Sequence, residues 1–262
     1  GLVLYADEPT ANLLGTDSRS PEELFEEVDA VIALGGDGTM LRVARSMGIK
    51  NKPMMGVNIG GLGFLTSVAE EDLDCALDCL AGDFYMETVR SVIECEVRGH
   101  GAAGREYRAL NEVVLHRGPS SRVVTLDVCI NDDHLTSYVC DGLIVSTPTG
   151  STGHSLSAGG PILTPGTEAF VISLICPHTL SSRPLVVPDG SMISIAAGKS
   201  SQGLQVSVDG QVSRELEDGD CVNIRKSATG VRFIHMPGHS YFSVLSQKLH
   251  WSGGLKERPS TS

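Results

Sequence analysis

Apolar residues in the first third of the chain follow two alternating patterns. An uninterrupted apolar run at 31–34 and a mainly apolar segment at 53–58 are typical of strands buried on both faces of a parallel sheet. After each run, apolar residues recur at helical spacing, over 40–47 and over 70–80. Strands that alternate with helices predict a doubly wound α/β domain, which we assign to residues 1–90.

The residues before these elements carry weaker signals. Residues 2–5 are apolar and predict a short strand, whereas 7–20 are polar and predict a loop. Ser20, followed by a proline and by Glu23, has the sequence of a capping box. It predicts a short helix that ends near Val28.

From about residue 91 the apolar period changes from helical to two. Alternating or β-branched segments, separated by turns rich in Gly, Asn and Asp, predict strands at 92–97, 107–115, 123–130, 135–139, 143–146, 170–175, 185–187, 192–197, 204–208, 221–224 and 231–235. Asp209-Gly210 is typical of a two-residue hairpin turn.

These strands predict a second, mainly antiparallel β-rich domain over 91–235. We expect 236–251, with a closing helix from residue 241, to pack back on the first domain. The last segment, 252–262, is rich in Gly, Ser and Pro and is predicted to be a disordered tail.

The net charge and the lengths of the apolar runs limit the kinds of partner that we expect for this protein. The 262 residues carry a formal net charge of −12, which argues against non-specific binding to nucleic acid or to an anionic membrane. No apolar run is long enough to cross a bilayer and no secretory signal is visible, so we expect a soluble protein. An anionic ligand would have to be held by local donors.

The cysteines indicate the redox state of the compartment, and the histidines bear on metal binding. The seven cysteines form no CxxC pair, which favours a reducing, cytoplasmic setting. Cys75 and Cys79 lie four residues apart on a predicted helix, and we expect them to be small buried hydrophobic residues. No histidine lies in an HExxH pattern, so we expect no structural zinc and assign no protein ligand to a metal.

Candidate chemistry begins in the segment Gly35-Gly36-Asp37-Gly38-Thr39, between a predicted strand and a predicted helix. Glycine backbone N–H groups at a helix start suit phosphate, yet the segment is neither GxGxxG nor GxxxxGK[ST] and has no lysine. A carboxylate there repels phosphate unless it binds magnesium or takes a proton from an attacking hydroxyl. The alternative is a tight turn in which Asp37 bonds its own backbone.

Two other stretches suit a phosphorylated, polyhydroxylated ligand. Ten of the fifteen residues in 147–161 are Gly, Ser or Thr, which offer many donors at small volume. The alternative is a flexible linker, which prolines between two buried strands argue against. The carboxylate of Asn111-Glu112 could hold both hydroxyls of a ribose. That signal is weak by itself, as is the signal at Asp141.

Six motifs, in one order along almost the whole chain, resemble those of the NAD kinase family, whose members use ATP or polyphosphate. They lie at 35–39, 58–65, 111–112, 141–152, 157–161 and 209–211. The first is shared with diacylglycerol and sphingosine kinases and, in part, with phosphofructokinases. The block 147–161 is specific to the family.

The resemblance implies a Rossmann-like N-terminal domain, a β-rich C-terminal domain and an active site in the cleft between them. It also implies a homo-oligomer, commonly a homotetramer whose sites include a neighbouring subunit. The reaction would move the γ-phosphoryl group of ATP, with Mg²⁺, to the 2′-hydroxyl of the adenosine ribose of NAD. NAD and ATP would be the small-molecule partners.

Carried over by motif, Asp37 would be the catalytic carboxylate. Gly35, Gly36, Gly38 and Thr39 would border the phosphates. Phe64 would pack against the nucleoside, and Asn111 and Glu112 would hold a ribose. The other NAD-binding positions would be Gly38, Asp141, Ser151, Thr152, Gly153, His154 and Ser157. Asp209 matches a family position near the site.

The sequence departs from the family pattern at two places. Gly153-His154 stands where the family usually has Ala-Tyr, so stacking survives, the phenol hydrogen bond is lost, and binding would depend on pH near neutrality. The alternative is that His154 points to solvent. The sequence also starts at Gly1, and we expect the family's first strand and helix to be missing.

Two alternative functions stay open on sequence alone. One is a lipid or sugar kinase of the same superfamily, which shares the first motif. The other is a non-catalytic dinucleotide-binding sensor, which the shortened start and His154 favour.

Overall fold

The computed structural model describes residues 1–61, 63–99, 104–118, 123–198, 203–217 and 219–251. The chain divides into two compact units, one formed by Gly1–Thr88 with the chain from Arg232 onward, the other by Val89–Val231. The predicted tail at 252–262 and Leu62 of the second glycine-rich motif lie outside the described residues.

Helices and strands occupy most of the described chain. The helices are α1 (Glu8–Leu14), α2 (Pro21–Glu27), α3 (Asp37–Met47), α4 (Leu73–Ala81), α5 (His154–Ser157) and α6 (Tyr241–Lys248). The strands are β1 (Val31–Leu34), β2 (Met54–Asn58), β3 (Val68–Ala69), β4 (Met86–Arg90), β5 (Ile93–Arg98), β6 (Arg105–Ala109), β7 (Glu112–Arg117), β8 (Val124–Ile130), β9 (Asp133–Cys140), β10 (Gly142–Ser146), β11 (Ala169–Ile175), β12 (Leu185–Pro188), β13 (Ile193–Ala197), β14 (Leu204–Val208), β15 (Val212–Glu215), β16 (Cys221–Lys226) and β17 (Val231–His235). Single 3₁₀ turns cover Glu70–Asp72 and Gly150–Thr152.

The first unit is built on a sheet with the order β1-β2-β17-β4, in which β3 also pairs with β2. Strands β1, β3 and β17 run parallel to β2. The alternating pattern had placed β17 in the second domain, but Phe233 is in register with Met54 in this sheet. A short strand buried on both faces has no distinctive period, so the pattern could not assign its sheet.

The first two helices of this unit begin at side chains that cap them. The capping box of α2 is confirmed, since Ser20 and Glu23 each accept the other's backbone N–H. The predicted strand at 2–5 is wrong, since residues 2–5 form no strand, and the predicted loop at 7–20 is wrong because α1 occupies part of it. Asp7 caps it by accepting from Thr10 N at 3.1 Å. Gly15 ends it with a φ of 66°.

The second unit contains two six-stranded antiparallel sheets, as the β-rich pattern predicts. Their strand orders are β12-β11-β10-β7-β14-β15 and β6-β5-β16-β13-β8-β9. Inward side chains of both sheets form one apolar core, with Val113, Leu143, Ile193 and Ile195 fully buried. The fold class is therefore α/β followed by antiparallel β, as predicted.

The cysteines differ from expectation in one respect. All seven are free thiols, but Cys75 is exposed and Cys79 only partly buried. Helix α4 buries Ala76 and turns Cys75 away from the core. Among the described residues the longest helix, α3, has 11 residues, and no helix is long and apolar enough to cross a membrane.

Candidate active site

The first group of candidate residues lies at the carboxyl end of β1. Gly36 is the N-cap of α3 and Asp37 is its first residue. Gly35 has a φ of 150°, and a Cβ there would collide with Thr39 Oγ1, so the sharp turn into the helix requires glycine. Because β2 runs parallel to β1, the segment after β2 begins at the same edge of the sheet.

Asp37 is held by that second segment. Its Oδ1 accepts from Leu65 N at 2.9 Å and its Oδ2 from Phe64 N at 3.0 Å. These donors are 27 and 28 residues away along the chain, so the carboxylate joins two loops instead of closing only its own turn. A Cβ on Gly63 would collide with Asp37 Oδ1. Glycine at 63 is therefore needed for this arrangement.

The second group is centred on Asn111 and Glu112, at the start of β7. Asp209 Oδ1 accepts from both of their backbone N–H groups, at 2.8 and 3.1 Å, and Oδ2 accepts from Leu110 N at 2.9 Å. In return, Asp209 N donates to Glu112 O at 3.0 Å. The Asp209 carboxylate thus sets the backbone from which Asn111 and Glu112 project.

The hairpin turn that carries Asp209 is close to the predicted one. Asp209 and Gly210 both have positive φ, 49° and 63°, and Gln211 N donates to Val208 O at 3.0 Å. Val208 pairs with Val212, however, so Gln211 is one residue beyond a two-residue loop. A hairpin at this position is confirmed, but its loop has three residues, so the predicted two-residue turn is wrong.

Glu112 is in an unusual electrostatic position. Only 7% of the residue is exposed, and its Oε2 has no hydrogen-bond partner among the described residues. Burial, and then the charge of Asp209, raise the pKa of the Glu112 carboxyl to about 7. The buried atoms Asn111 Oδ1 and Thr149 Oγ1 also lack a described partner. Such unsatisfied acceptors are expected where a ligand supplies the missing donors.

The block 147–161 packs against this pair and is not a flexible linker. Thr147 N donates to Asn111 O at 2.8 Å, and Thr147 Oγ1 donates to Leu110 O at 2.6 Å. A Cβ on Gly150 would collide with the Asn111 backbone, so glycine permits the close approach. A Cβ on Gly153 would lie 3.6 Å from Glu112 Oε2.

Side chains of this block divide into internal and exposed groups. Ser151 is fully buried, and its hydroxyl donates to Pro148 O at 2.6 Å and accepts from Leu163 N at 2.9 Å. Thr152 Oγ1 donates to Thr149 O at 3.2 Å. Gly153, His154 and Ser157 are exposed. The sequence did not predict a role for Thr149, whose buried hydroxyl lacks a described partner. The one sequence signal for it was its place in the Gly-, Ser- and Thr-rich block.

Asp141 lies far from Asn111 and Glu112 in this chain. In the register of β7 and β10, Glu112 pairs with Ser146, whereas Gly142 pairs with His116 at the other end. These pairs are four residue steps apart, about 13 Å of strand, and Asp141 lies beyond the Gly142 pair. Its Oδ1 is 3.2 Å from Arg117 Nε.

The sequence comparisons identify the family. Residues 13–84 match the ATP-NAD kinase N-terminal domain, and residues 110–236 match the ATP-NAD kinase C-terminal domain. The NAD kinase of Gemmatimonas aurantiaca is 43% identical over 232 residues, which cover 88% of this chain and 80% of that protein. The NAD kinase of Syntrophotalea carbinolica is 40% identical over 254 residues, which cover 96% and 89%. The chain belongs to the NAD kinase family.

Solved structures of two related kinases have the same fold as this chain. Yeast NADH kinase complexed with NADH has a TM-score of 0.86 at 28% identity, over 93% of this chain and 72% of that one. An NAD kinase from Archaeoglobus fulgidus in complex with ATP has a TM-score of 0.76 at 27% identity, over 94% of each chain. The predicted family and fold are thereby confirmed.

Family membership settles the activity. The chain is an ATP-using kinase that phosphorylates NAD, as the NAD kinase motifs predict. Neither the lipid or sugar kinase nor the non-catalytic sensor is favoured. No group of three His, Cys, Asp or Glu side chains suited to a metal ion occurs within the described ranges.

Proposed function

We propose that Asp37 is the catalytic carboxylate in transfer of the γ-phosphoryl group of ATP to the 2′-hydroxyl of the adenosine ribose of NAD. The hydroxyl proton moves to Asp37, the freed oxygen bonds to the γ-phosphorus, and the bond to the bridging oxygen breaks to release ADP. The observation that carries this role is the pair of backbone N–H groups on Asp37. They fix the carboxylate and leave it lone pairs for a hydroxyl.

Asn111 and Glu112 hold ribose hydroxyls in this proposal. Burying an unpartnered carboxylate oxygen costs free energy, which the free protein retains at Glu112 Oε2. Two hydroxyls of a ribose would supply donors to Glu112 and Asn111. The cost of the empty pocket would then be recovered when NAD binds.

The phosphates are assigned to the first group. Gly35, Gly36, Gly38 and Thr39 present backbone donors at the start of α3, an 11-residue helix whose dipole favours anions. ATP would react as its complex with a divalent cation such as Mg²⁺, whose charge offsets that of the phosphates. Phe64 would pack against a nucleoside.

The remaining dinucleotide contacts are assigned to the block 147–161. Gly153, His154 and Ser157 are exposed and can meet the ligand. Ser151 and Thr152 would act by holding the loop, since their hydroxyls bond within it. Asp141 stays a predicted NAD contact.

We also propose a cytoplasmic homo-oligomer. Seven free thiols suit a reducing compartment. The oligomer rests on resemblance to the family, and light scattering coupled to size-exclusion chromatography measures it directly. A monomeric mass at assay concentration would contradict it.

The test of the catalytic role is NADP formation by Asp37→Asn. We expect turnover to fall by at least about 100-fold, because the amide cannot accept the proton. NAD affinity, measured by calorimetry, should stay within about twofold. Asp29→Asn, at an exposed carboxylate of the same unit, is the matched control. Turnover equal to wild type in Asp37→Asn would remove Asp37 from the mechanism.

A further inference from the structure

The glycine segment carries no cationic side chain of its own. No Lys or Arg occurs within 35–39, and Asp37 adds a negative charge where phosphates are expected. Phosphoryl transfer depends on positive groups that stabilise charge on the transferring phosphate. Backbone N–H groups and a helix start supply only part of that charge.

The structure brings a lysine to the segment that holds Asp37. Lys248, the last residue of α6, has its Nζ 5.9 Å from the centroid of the Phe64 ring. Phe64 N is itself one of the two donors to Asp37, at 3.0 Å. Leu245, one helical turn earlier, is buried and anchors the helix on this side. The ammonium group of Lys248 therefore lies over the side chain of a residue whose backbone N–H donates to Asp37.

The charge of Lys248 is not neutralised within the described chain. Three other cations of this unit are paired with glutamates: Arg19 with Glu27 at 3.8 Å, Lys50 with Glu26 at 2.6 Å and Arg232 with Glu87 at 2.7 Å. Lys248 has no carboxylate within ion-pair distance among the described residues and is only partly exposed. Over an aromatic face it keeps its full charge for a ligand.

We propose that the Lys248 ammonium group binds the phosphate chain of the phosphoryl donor beside Asp37. This inference rests on the proposed function of Asp37. It makes α6, distant in sequence, the source of the cation that P-loop kinases carry in the loop itself. Phe64 would then hold Lys248 as well as meet the nucleoside.

Three variants test the proposal. Lys248→Met keeps the length and apolar stem but removes the charge, Lys248→Arg keeps the charge, and Lys50→Met is the control at a lysine paired with Glu26. We expect Lys248→Met to raise KM for ATP by about 10-fold and to lower kcat, as expected for loss of a charge-assisted hydrogen bond. KM for NAD should change by less than about twofold. Lys248→Arg should retain most of the wild-type ATP affinity, and Lys50→Met all of it.

The outcomes separate this inference from the proposed function. Unchanged KM for ATP in Lys248→Met, with wild-type NADP formation, would overturn the role of Lys248 alone. Equal rises in both KM values with a lower Tm would also overturn it, because they indicate that Lys248 only stabilises α6. Calorimetric binding of a non-hydrolysable ATP analogue reads the same affinity without turnover, so the inference is tested even if Asp37 proves not to be catalytic.

Discussion

The two carboxylates on which the proposed function depends, Asp37 and Glu112, are held in opposite ways. Asp37 is partly exposed, and both of its oxygens already accept backbone N–H groups. Glu112 is buried, and its Oε2 accepts nothing in the described chain. The first arrangement fixes a charged group before substrate arrives, whereas the second leaves an acceptor that a ligand must satisfy. In the proposed function, a fixed carboxylate therefore positions the reacting hydroxyl, and a buried, unsatisfied carboxylate recognises the ligand.

The largest effect we expect comes from moving the fixed carboxylate without replacing it. In Gly63→Ala the new methyl would collide with Asp37 Oδ1 and displace it from its two donors. We expect kcat to fall by about 100-fold, since small misplacements of a catalytic group are costly. NAD affinity should stay within about twofold. Steady-state NADP formation measures the first and calorimetry the second.

Gly61→Ala is the matched control, because a Cβ there meets no atom within 4 Å. A Gly63→Ala enzyme with wild-type kcat would show that Asp37 tolerates displacement. In that case, the fixed position of Asp37 would not matter for catalysis, and the contrast with Glu112 would not hold.

The next effect concerns the available carboxylate and pH. The pKa of Glu112 is raised to about 7, mainly by burial. If its ionised form binds the ribose, NAD affinity should rise by about 10-fold between pH 6 and pH 8, as the competent fraction rises from about 9% to about 91%. Glu112→Gln should bind more weakly and lose most of this dependence. Calorimetric titrations at three pH values measure both.

The free energy of unfolding of the free protein should fall as pH rises, whereas NAD affinity should rise. A carboxyl whose folded pKa is raised keeps its proton longer in the folded state, so its contribution to stability is lost as pH rises from about 4.5 to about 7. Glu112→Gln should remove that loss in free protein. A stability profile identical to wild type across this window would contradict the burial of an unpaired charge.

The smallest effect should come from Asp209→Asn. The amide can still accept backbone N–H groups through one oxygen but removes the charge that helps raise the pKa of Glu112. We expect NAD affinity to fall about fivefold at pH 8, because the backbone of Asn111 and Glu112 is less firmly held. The pH midpoint of NAD binding should also move down. An unmoved midpoint with unchanged affinity would show that Asp209 supports neither residue.

Much of the local structure was accessible from the sequence. The apolar run of β1, the glycines after it and the periodicity of α3 are contiguous signals, so the strand, loop and helix were predicted together. The capping box at Ser20 is equally local. The missed helix α1 was also local, since Asp7 and Gly15 are ordinary caps around a weakly apolar segment. These features depend on neighbours only a few residues away.

The contacts that give these elements chemical roles came from the tertiary structure. Asp209 reaches Leu110 and Glu112 across 99 and 97 residues, and Asp37 reaches Leu65 across 28. Strand register also separates Asp141 from Glu112, although both belong to the same family pattern. The sequence by itself determined which segments carry donors, acceptors and glycines, because those properties belong to single residues and short turns. Which carboxylate is satisfied and which is left buried and unpaired was decided by packing between distant segments, because burial and hydrogen bonding depend on neighbours in space.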